Sequence, residues 1–528
     1  MIQRRRTNID PVRVVKRASR MDIRYRDRSG QTRTADLFDI LAALSADIVA
    51  SFPALRPHQR QAWHAFLVQA AAMALHRAGT ASLPEGAEAW RRLLLALTPD
   101  WPDGEAWELV VEDWKKPALL QPPVARPANA AEYRGRIEAP DALDMLVTAK
   151  NHDLKAERMR DAADEHWLFA LVSLQTQEGF MGAGNFGISR MNGGFGSRTT
   201  FGLRPQGTPG AAFRHDVGRL LAGGRDEILA RQPALAARDG PGLLWLEPWD
   251  GQASRGFAGL DPLYVEVCRR VRLVREDGRL VARTAGSKAA RIESKALTGR
   301  TGDPWAPVLK DGEKAYTPSA AGFGYRQIAR LMNTRITVRP VLASPAPGMP
   351  TTGLAIVLSA VVRGQGKTEG FHERHLPVPG FVAALMEQHG DEILYRTGTV
   401  TQERADEAGE MGRILRHALL ALLRGGRDAV RLDDEAGLRK AASWQATYDG
   451  RVEAGFFDDA FWNEVAERDG PHRVPWRGRL RGIARAVLAE AAEAAPRTEV
   501  RRIRARAQAS SLFERRAGAF VAEVKDAG

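Results

Sequence analysis

The chain has a single cysteine, Cys268, among its 528 residues. One thiol excludes an internal disulfide and any zinc site built from several thiolates, and it is typical of proteins in a reducing compartment. Long apolar runs are also lacking, and the charged N-terminus is not followed by an apolar segment. The sequence therefore predicts neither a membrane span nor a secretory signal, and we expect a cytoplasmic protein.

Acidic residues are outnumbered by basic ones. Lys and Arg total 77 against 64 Asp and Glu, which gives a net charge of +13 and a pI near 10.1. The first 40 residues hold eleven Lys or Arg against five Asp. Such an excess is typical of proteins that bind polyanions, nucleic acid above all. The alternative is an Arg-rich surface that is merely solvated.

Length and composition indicate a folded protein of two or more domains, because one hydrophobic core stops growing well below 528 residues. The stretch 57–77 places Trp63, Phe66 and Leu67 on one stripe at helical spacing, which predicts an amphipathic helix. A shorter helix is expected at 88–97. The Pro-rich stretch 115–127 cannot form a regular element and predicts an exposed connector.

Further along, 167–175 predicts a buried helix, and it leads into a Gly-rich segment that excludes helix. Between about 243 and 362 the pattern is typical of strands. Asp277-Gly278 favours a tight hairpin turn, and 353–362 is the best single strand.

After Pro379 the sequence becomes rich in Ala, Leu, Glu and Arg. Helices are expected near 380–395, 403–424, 433–465 and 476–525, with breaks possible inside the last two. The predicted fold class is therefore α+β, with a mixed domain of short sheets and helices over 1–378. A four-helix bundle is predicted over 379–528.

Two patterns suggest enzyme chemistry, and both lack an essential residue. Gly366-Lys367-Thr368 after a strand suggests a phosphate-binding P-loop, but Val361 stands where that loop needs glycine. His372 and His375 are three residues apart, whereas a hydrolytic zinc helix needs a spacing of four and a third ligand. The sequence thus predicts no catalytic residue, no metal site and no cofactor, and the chain is not expected to be an enzyme.

The segment 187–198, GISRMNGGFGSR, is the most informative loop. Closely spaced glycines let a backbone approach a ligand, and Arg190 and Arg198 bracket the loop with positive charge. The loop can therefore lie against a nucleic-acid backbone or groove, or be a simple turn between packed elements.

Several pieces in this order resemble the large-subunit family of the type I-E CRISPR Cascade, called CasA. The pieces are helix 57–77, the connector with PALLQPP, the stretch TAKNHDLKAERMRDA, the helix WLFALVSLQ and the loop MNGGFGSR. A β-rich middle and C-terminal helices follow, so that the resemblance covers nearly the whole chain. It implies a non-enzymatic subunit that recognises a protospacer-adjacent motif in double-stranded DNA. The subunit also helps to open the duplex for the crRNA and recruits a helicase-nuclease in antiviral defence.

The resemblance also implies which residues touch nucleic acid. The motif-reading glycine loop corresponds to Asn192, Gly193, Gly194, Phe195, Gly196 and Arg198. A hairpin that wedges between the DNA strands has its tip at Gly364, Gln365, Gly366 and Lys367. A lysine contact falls on Lys295 or, alternatively, Lys288, and a loop that touches crRNA and DNA holds His152, Lys155 and Arg158.

The partners implied are the other Cascade subunits with their crRNA, target duplex DNA and the helicase-nuclease, with no membrane. Two alternatives remain open. One is a basic scaffold that binds nucleic acid without reading it, and the other is a nucleotide-binding enzyme using Gly366, Lys367 and Thr368.

Overall fold

The computed structural model describes residues 21–124, 126–144, 162–194, 196–345, 348–364, 367–426, 430–431, 433–467, 473–494 and 499–523. The α-helices in this part of the chain are α1 (Leu37–Ser45), α2 (Arg60–Arg77), α3 (Ala87–Ala96), α4 (Pro127–Ala130), α5 (Pro140–Leu143), α6 (Asp164–Gln177), α7 (Pro209–Arg219), α8 (Arg225–Arg231), α9 (Tyr325–Met332), α10 (Gly380–His389), α11 (Asp391–Arg424), α12 (Glu435–Glu453), α13 (Asp459–Ala466), α14 (Arg473–Ala494) and α15 (Glu499–Ala522).

The strands are short except for one long hairpin. They are β1 (Ile23–Asp27), β2 (Thr32–Ala35), β3 (Val49–Ser51), β4 (Gly135–Ile137), β5 (Thr200–Pro205), β6 (Arg255–Gly256), β7 (Arg270–Glu276), β8 (Arg279–Ala285), β9 (Ile292–Glu293), β10 (Val308–Leu309), β11 (Lys314–Ala315), β12 (Thr337–Val338), β13 (Leu354–Gly364) and β14 (Lys367–Val378). They form small sheets in the orders β2-β1-β3, β4-β8-β7, β11-β10-β12, β14-β13-β5 and β6-β9. The predicted α+β class is confirmed.

The helix predicted at 57–77 is present, but it is central rather than amphipathic. A 3₁₀ turn over Pro57–Gln59 leads into α2, and every side chain from Gln61 to Leu75 except His64 is buried. Helices α3, α6 and α7 pack around it. Because Ala and Gln fill the face that was expected to meet solvent, neighbouring helices can approach from several sides.

The Pro-rich connector departs from the prediction of an exposed segment. It forms no helix or strand in its described part, as expected, but 117–124 is buried. Its polar backbone is satisfied by side chains: the Gln121 amide donates to the carbonyl of Leu119 at 3.2 Å, and Arg272 donates to the carbonyl of Gln121 at 3.3 Å. With these partners the backbone can lie inside the protein while Leu119 and Leu120 join the core.

Both predicted β features are confirmed. Strands β7 and β8 pair antiparallel around Asp277 and Gly278, which both adopt positive φ, as a tight hairpin turn requires. The strand expected at 353–362 is β13, which pairs with β5 on one side and β14 on the other.

The C-terminal region is helical, and its breaks differ in part from those expected. Gly390, with φ of +47°, separates α10 from α11, which begins at Asp391 and runs unbroken to Arg424. The third predicted helix is two helices, α12 and α13, broken at 454–458. The fourth corresponds to α14 and α15, and residues 495–498 between them lie outside the described residues. Helices α11, α12, α14 and α15 share one hydrophobic core that includes Leu415, Tyr448 and Phe513.

Candidate nucleic-acid interface

The segment 178–199 follows α6, contains no helix in its described residues and lies against the long hairpin. Gly196 forms an antiparallel bridge to Val362 of β13. The N–H of Ser197 donates to the carbonyl of Val361 at 2.9 Å, and the N–H of Val361 donates to the Ser197 hydroxyl at 2.6 Å. The fold therefore brings the predicted glycine loop beside the end of the strand that leads to the predicted hairpin tip.

Asn192 shapes the loop. Its side-chain oxygen accepts from the N–H of Gly194 at 2.7 Å, and its amide nitrogen donates to the carbonyl of Ala315 at 2.6 Å. Such a side-chain turn fixes a short backbone segment without regular structure. Gly193 has φ of +82°, which favours glycine.

Glycine is also needed for close packing within this loop. A Cβ on Gly194 would lie 2.8 Å from the Asn192 side-chain oxygen, and one on Gly196 would lie 3.1 Å from a Thr317 methyl carbon. Larger residues would therefore displace the turn. Phe195 lies outside the described residues.

The two arginines that bracket the loop are buried, contrary to the expectation that they add surface charge. Arg198 is 1% exposed and donates two hydrogen bonds to the Asp303 carboxylate, at 2.5 and 2.6 Å. Arg190 lies over the Tyr264 ring and donates to the carbonyl of that residue at 2.7 Å. Arg198 therefore supports the loop from inside and is not placed to touch DNA. Its partner Asp303 is close in space but 105 residues away along the chain.

A second buried carboxylate lies at the base of the loop, and nothing in the sequence singled it out. Glu266 accepts hydrogen bonds from the N–H of Ser189, at 2.5 Å, and from the Ser189 hydroxyl. Burial raises the pKa of Glu266 to about 7, although Ser189 and nearby Arg190 oppose that rise.

The hairpin is tied to the glycine segment by a second buried charge pair, which sequence reasoning also missed. Arg363, next to the hairpin tip, donates to the carboxylate of Glu178, and both side chains are almost fully buried. Burial raises the pKa of Glu178 in spite of Arg363. The backbone of Glu178 in turn forms an antiparallel β-bridge with Ser197. A partner 185 residues away along the chain leaves no local sequence signal.

At the hairpin tip, Gly364 pairs with Lys367, and Gln365 and Gly366 lie outside the described residues. Strand β13 is followed by another strand rather than by a helix, and Thr368 pairs with Arg363. A P-loop needs a helix N-terminus behind its glycines, so this geometry argues against the nucleotide-binding alternative.

His372 and His375 also lie on β14, where residues three apart point to opposite faces. They cannot bind one metal ion together. In the residues that the structure describes, no group of three or more His, Cys, Asp or Glu side chains could hold a metal.

The two candidate lysines are both exposed, and they flank different parts of the glycine segment. Lys295 begins a 3₁₀ turn whose Thr298 accepts a backbone hydrogen bond from Ala315, the residue that anchors Asn192. Lys288 follows Ser287, whose N–H donates to the carbonyl of Gly184 at 3.3 Å. Lys295 is therefore the one linked to the Asn192 turn.

The predicted crRNA-contacting residues His152, Lys155 and Arg158 lie outside the described residues.

The helices that the structure describes include none long and apolar enough to cross a membrane.

Comparisons with known proteins identify the fold. No protein-family model and no curated protein matches the chain. Among solved structures, CasA of Thermus thermophilus is similar at 15% identity, with a TM-score of 0.60 over 94% of this chain and 98% of that chain. Thermobifida fusca Cse1 is similar at 14% identity, with a TM-score of 0.59 over 96% of this chain and 97% of that chain.

A chain of a structure described as a CRISPR RNA-guided surveillance complex, pre-nicking, has 15% identity and a TM-score of 0.50, over 94% of this chain and 97% of that chain. This protein therefore has the fold of the Cse1 or CasA proteins along nearly its whole length.

Proposed function

We propose that this chain is the large subunit of a type I-E CRISPR Cascade complex and recognises the protospacer-adjacent motif in target DNA. The observation that carries the proposal is the adjacency of the glycine loop and the long hairpin, joined at Gly196 and Val362, on a fold shared with Cse1 and CasA. The similar chain from a surveillance complex supports assembly with other Cascade subunits and crRNA.

In this proposal the glycine loop reads the motif by fitting its backbone into the minor groove. Side chains would keep the backbone away from the base edges, and the turn held by Asn192 presents Gly193 and Gly194 without them. Minor-groove recognition depends on groove width and a few polar contacts, for which a shaped backbone is suited.

The hairpin tip then enters the duplex beside the motif and separates the strands. Unstacking one base step costs a few kcal/mol, so the element that does it must be stiff and well anchored. The long β13–β14 pairing and the buried contact between Arg363 and Glu178 supply that stiffness. Guide pairing then continues the opening, since the heteroduplex is about as stable as the duplex it replaces.

Exposed cations near the loop would hold the DNA backbone in place. Lys295 is the proposed phosphate contact, with Lys288 as the alternative, and His152, Lys155 and Arg158 are proposed to touch crRNA and DNA. Contacts of this kind add affinity that depends on salt but not on sequence.

The remaining role is non-catalytic. The DNA-bound subunit is proposed to recruit a helicase-nuclease, within a cytoplasmic complex that defends against viruses. A basic scaffold without motif preference is the second candidate, and the net charge of +13 favours it.

The experiment that tests the proposal compares guide-loaded complexes assembled with and without this chain. Each is bound to a duplex library that is randomised beside a fixed target, and the bound DNA is sequenced. We expect a strong motif preference only when the chain is present. Equal binding of all flanking sequences, with a steep salt dependence, would instead establish the basic scaffold.

A further inference from the structure

A cavity of about 440 Å³ lies where several elements meet, and none of its lining residues belongs to the glycine segment. The end of α7, helix α8 and strand β12 form its walls, and the start of α11 closes one edge. It therefore lies where the C-terminal helices join the mixed N-terminal part.

The cavity is strongly basic. Its lining holds four cations against two carboxylates, which leaves an excess of two positive charges in a concave site. The cations are Arg219, Arg231, Lys310 and Arg339, and the carboxylates are Glu227 and Asp391. Concave sites with one sign of charge concentrate counter-ions of the other sign.

The two carboxylates neutralise these cations only in part. Glu227 is shared between Arg219 and Arg231, with the Arg231 nitrogen 3.7 Å from its oxygen. Asp391 is 85% exposed and lies 3.4 Å from Arg339, whose side chain is 10% exposed. Lys310 has no acidic partner in the described part of the chain.

One buried donor in the cavity lining is unused. The Nε of Arg219 has no hydrogen-bond partner among the described residues, although only 6% of that side chain is exposed. A buried guanidinium N–H without an acceptor costs free energy, so the charge of Arg219 is only partly compensated by the protein.

The arginines also affect one another electrostatically. Burial lowers the pKa of Arg231, and neighbouring Arg219 lowers it further against the effect of Glu227. Burial likewise lowers the pKa of Arg339, with Arg231 adding to it. An anion between these groups would relieve their repulsion.

The start of α11 adds backbone donors. Gly390 and Asp391 line the cavity, and no side chain caps this end of the 34-residue helix. The first N–H groups of a helix lack partners within the helix and favour negative charge.

We propose that this cavity is a phosphate-binding site, in which Arg219, Arg231, Lys310 and Arg339 hold a phosphate group. Guanidinium groups bind phosphate oxygens in pairs, and a lysine adds a point charge. The phosphate can come from a nucleic-acid backbone or from a free oligophosphate. Either would tie the C-terminal helices to the N-terminal part.

Calorimetric titration of the full chain with sodium pyrophosphate at low, matched ionic strength tests the site. We expect saturable binding that Lys310→Gln and Arg231→Gln each weaken by about fivefold, as for loss of one partly exposed ion pair. Lys440→Gln removes the same charge from the exposed surface of α12 and should leave the affinity unchanged.

The two sources are separated by repeating duplex DNA binding with and without saturating pyrophosphate. If pyrophosphate competes with DNA for the wild-type chain but not for Lys310→Gln, the site binds backbone phosphate. If pyrophosphate binds but does not compete with DNA, the site binds a free anion. Titration heats that do not saturate, or an equal effect of Lys310→Gln and Lys440→Gln, would overturn the proposal. These measurements use the chain alone, so their outcome does not depend on motif reading.

Discussion

At the scale of single residues, buried charge supports the candidate interface. Asp303 holds Arg198 at one end of the glycine loop, and Glu178 holds Arg363 beside the hairpin tip. Removing one partner of a buried pair typically costs about 3–5 kcal/mol, because the other charge is left uncompensated. These pairs therefore fix the positions of both elements.

Glu266 should make stability depend on pH. Its pKa is raised to about 7 from an ordinary 4.5, so between these values the folded protein holds a proton that the unfolded chain has released. Stability is then lost as pH rises through that window, by on the order of 2–3 kcal/mol. We expect the unfolding temperature of Glu266→Gln, taken relative to that of the wild type at the same pH, to rise from pH 5 to pH 8.

The control for this experiment is Glu85→Gln, which changes an exposed carboxylate. Its unfolding midpoint should follow that of the wild type at every pH. A Glu266→Gln difference that stays constant from pH 5 to pH 8 would show that Glu266 is ionised in the folded protein throughout.

The two lysines should differ in their effect on DNA binding. Lys295→Gln should lower the affinity of the assembled complex for all duplexes alike and reduce the log–log salt slope by about 1, because one phosphate contact is lost. Lys288→Gln should leave both unchanged. The affinity is measured at several salt concentrations, and the reverse pattern would assign the contact to Lys288.

Local sequence was enough to predict that the glycine-rich segment after α6 forms no helix, because closely spaced glycines disfavour one. It was not enough to predict that Arg190 and Arg198 are buried. Their partners, Tyr264 and Asp303, are close only in the folded chain. A charged residue in a loop is exposed by default, and only tertiary structure reveals the exception.

At the scale of elements, α11 joins the two halves of the chain through contact with α9. The contact is close at Gly398, where a Cβ would lie 2.3 Å from the carbonyl oxygen of Met332. The backbones of the two helices meet there with no room for a side chain.

Gly398→Ala should therefore destabilise the protein by about 1–3 kcal/mol, the usual cost of forcing extra volume into a packed contact. Gly450→Ala is the matched control, since that glycine lies in α12 with open space around it. Replacing an exposed helical glycine should stabilise by about 0.5–1 kcal/mol. Thermal unfolding checks both, and a Gly398→Ala midpoint at or above that of the wild type would contradict the packing account.

Sequence patterns predicted elements well where the signal is local. Asp277-Gly278 fixed a hairpin turn, and periodic apolar residues located the main helices. The start of α11 was missed because Thr397, Gly398 and Thr401 weaken helix propensity. Packing outweighs that cost, since Thr397 and Thr401 are fully buried.

At the scale of the whole molecule, the predicted boundary at 378 is crossed by a hydrophobic core. One cluster contains Leu358 and Leu376 of the long hairpin together with Met386 and Phe461 from the C-terminal helices. The hairpin proposed to open DNA therefore packs directly on the helical region. Composition revealed the change of character near Pro379, but which surfaces pack together depends on side chains distant in sequence.

The central claim is that the glycine loop reads the motif. The most direct measurement is the flanking-sequence preference of a guide-loaded complex that carries Gly194→Asp. The control complex carries Gly256→Asp, at an exposed glycine where an added Cβ would have no atom within 4 Å. The new side chain at position 194 would meet the Asn192 oxygen and displace the turn. We expect preference to be lost with Gly194→Asp and retained with Gly256→Asp, at similar unfolding midpoints. A preference that survives Gly194→Asp unchanged would contradict the account.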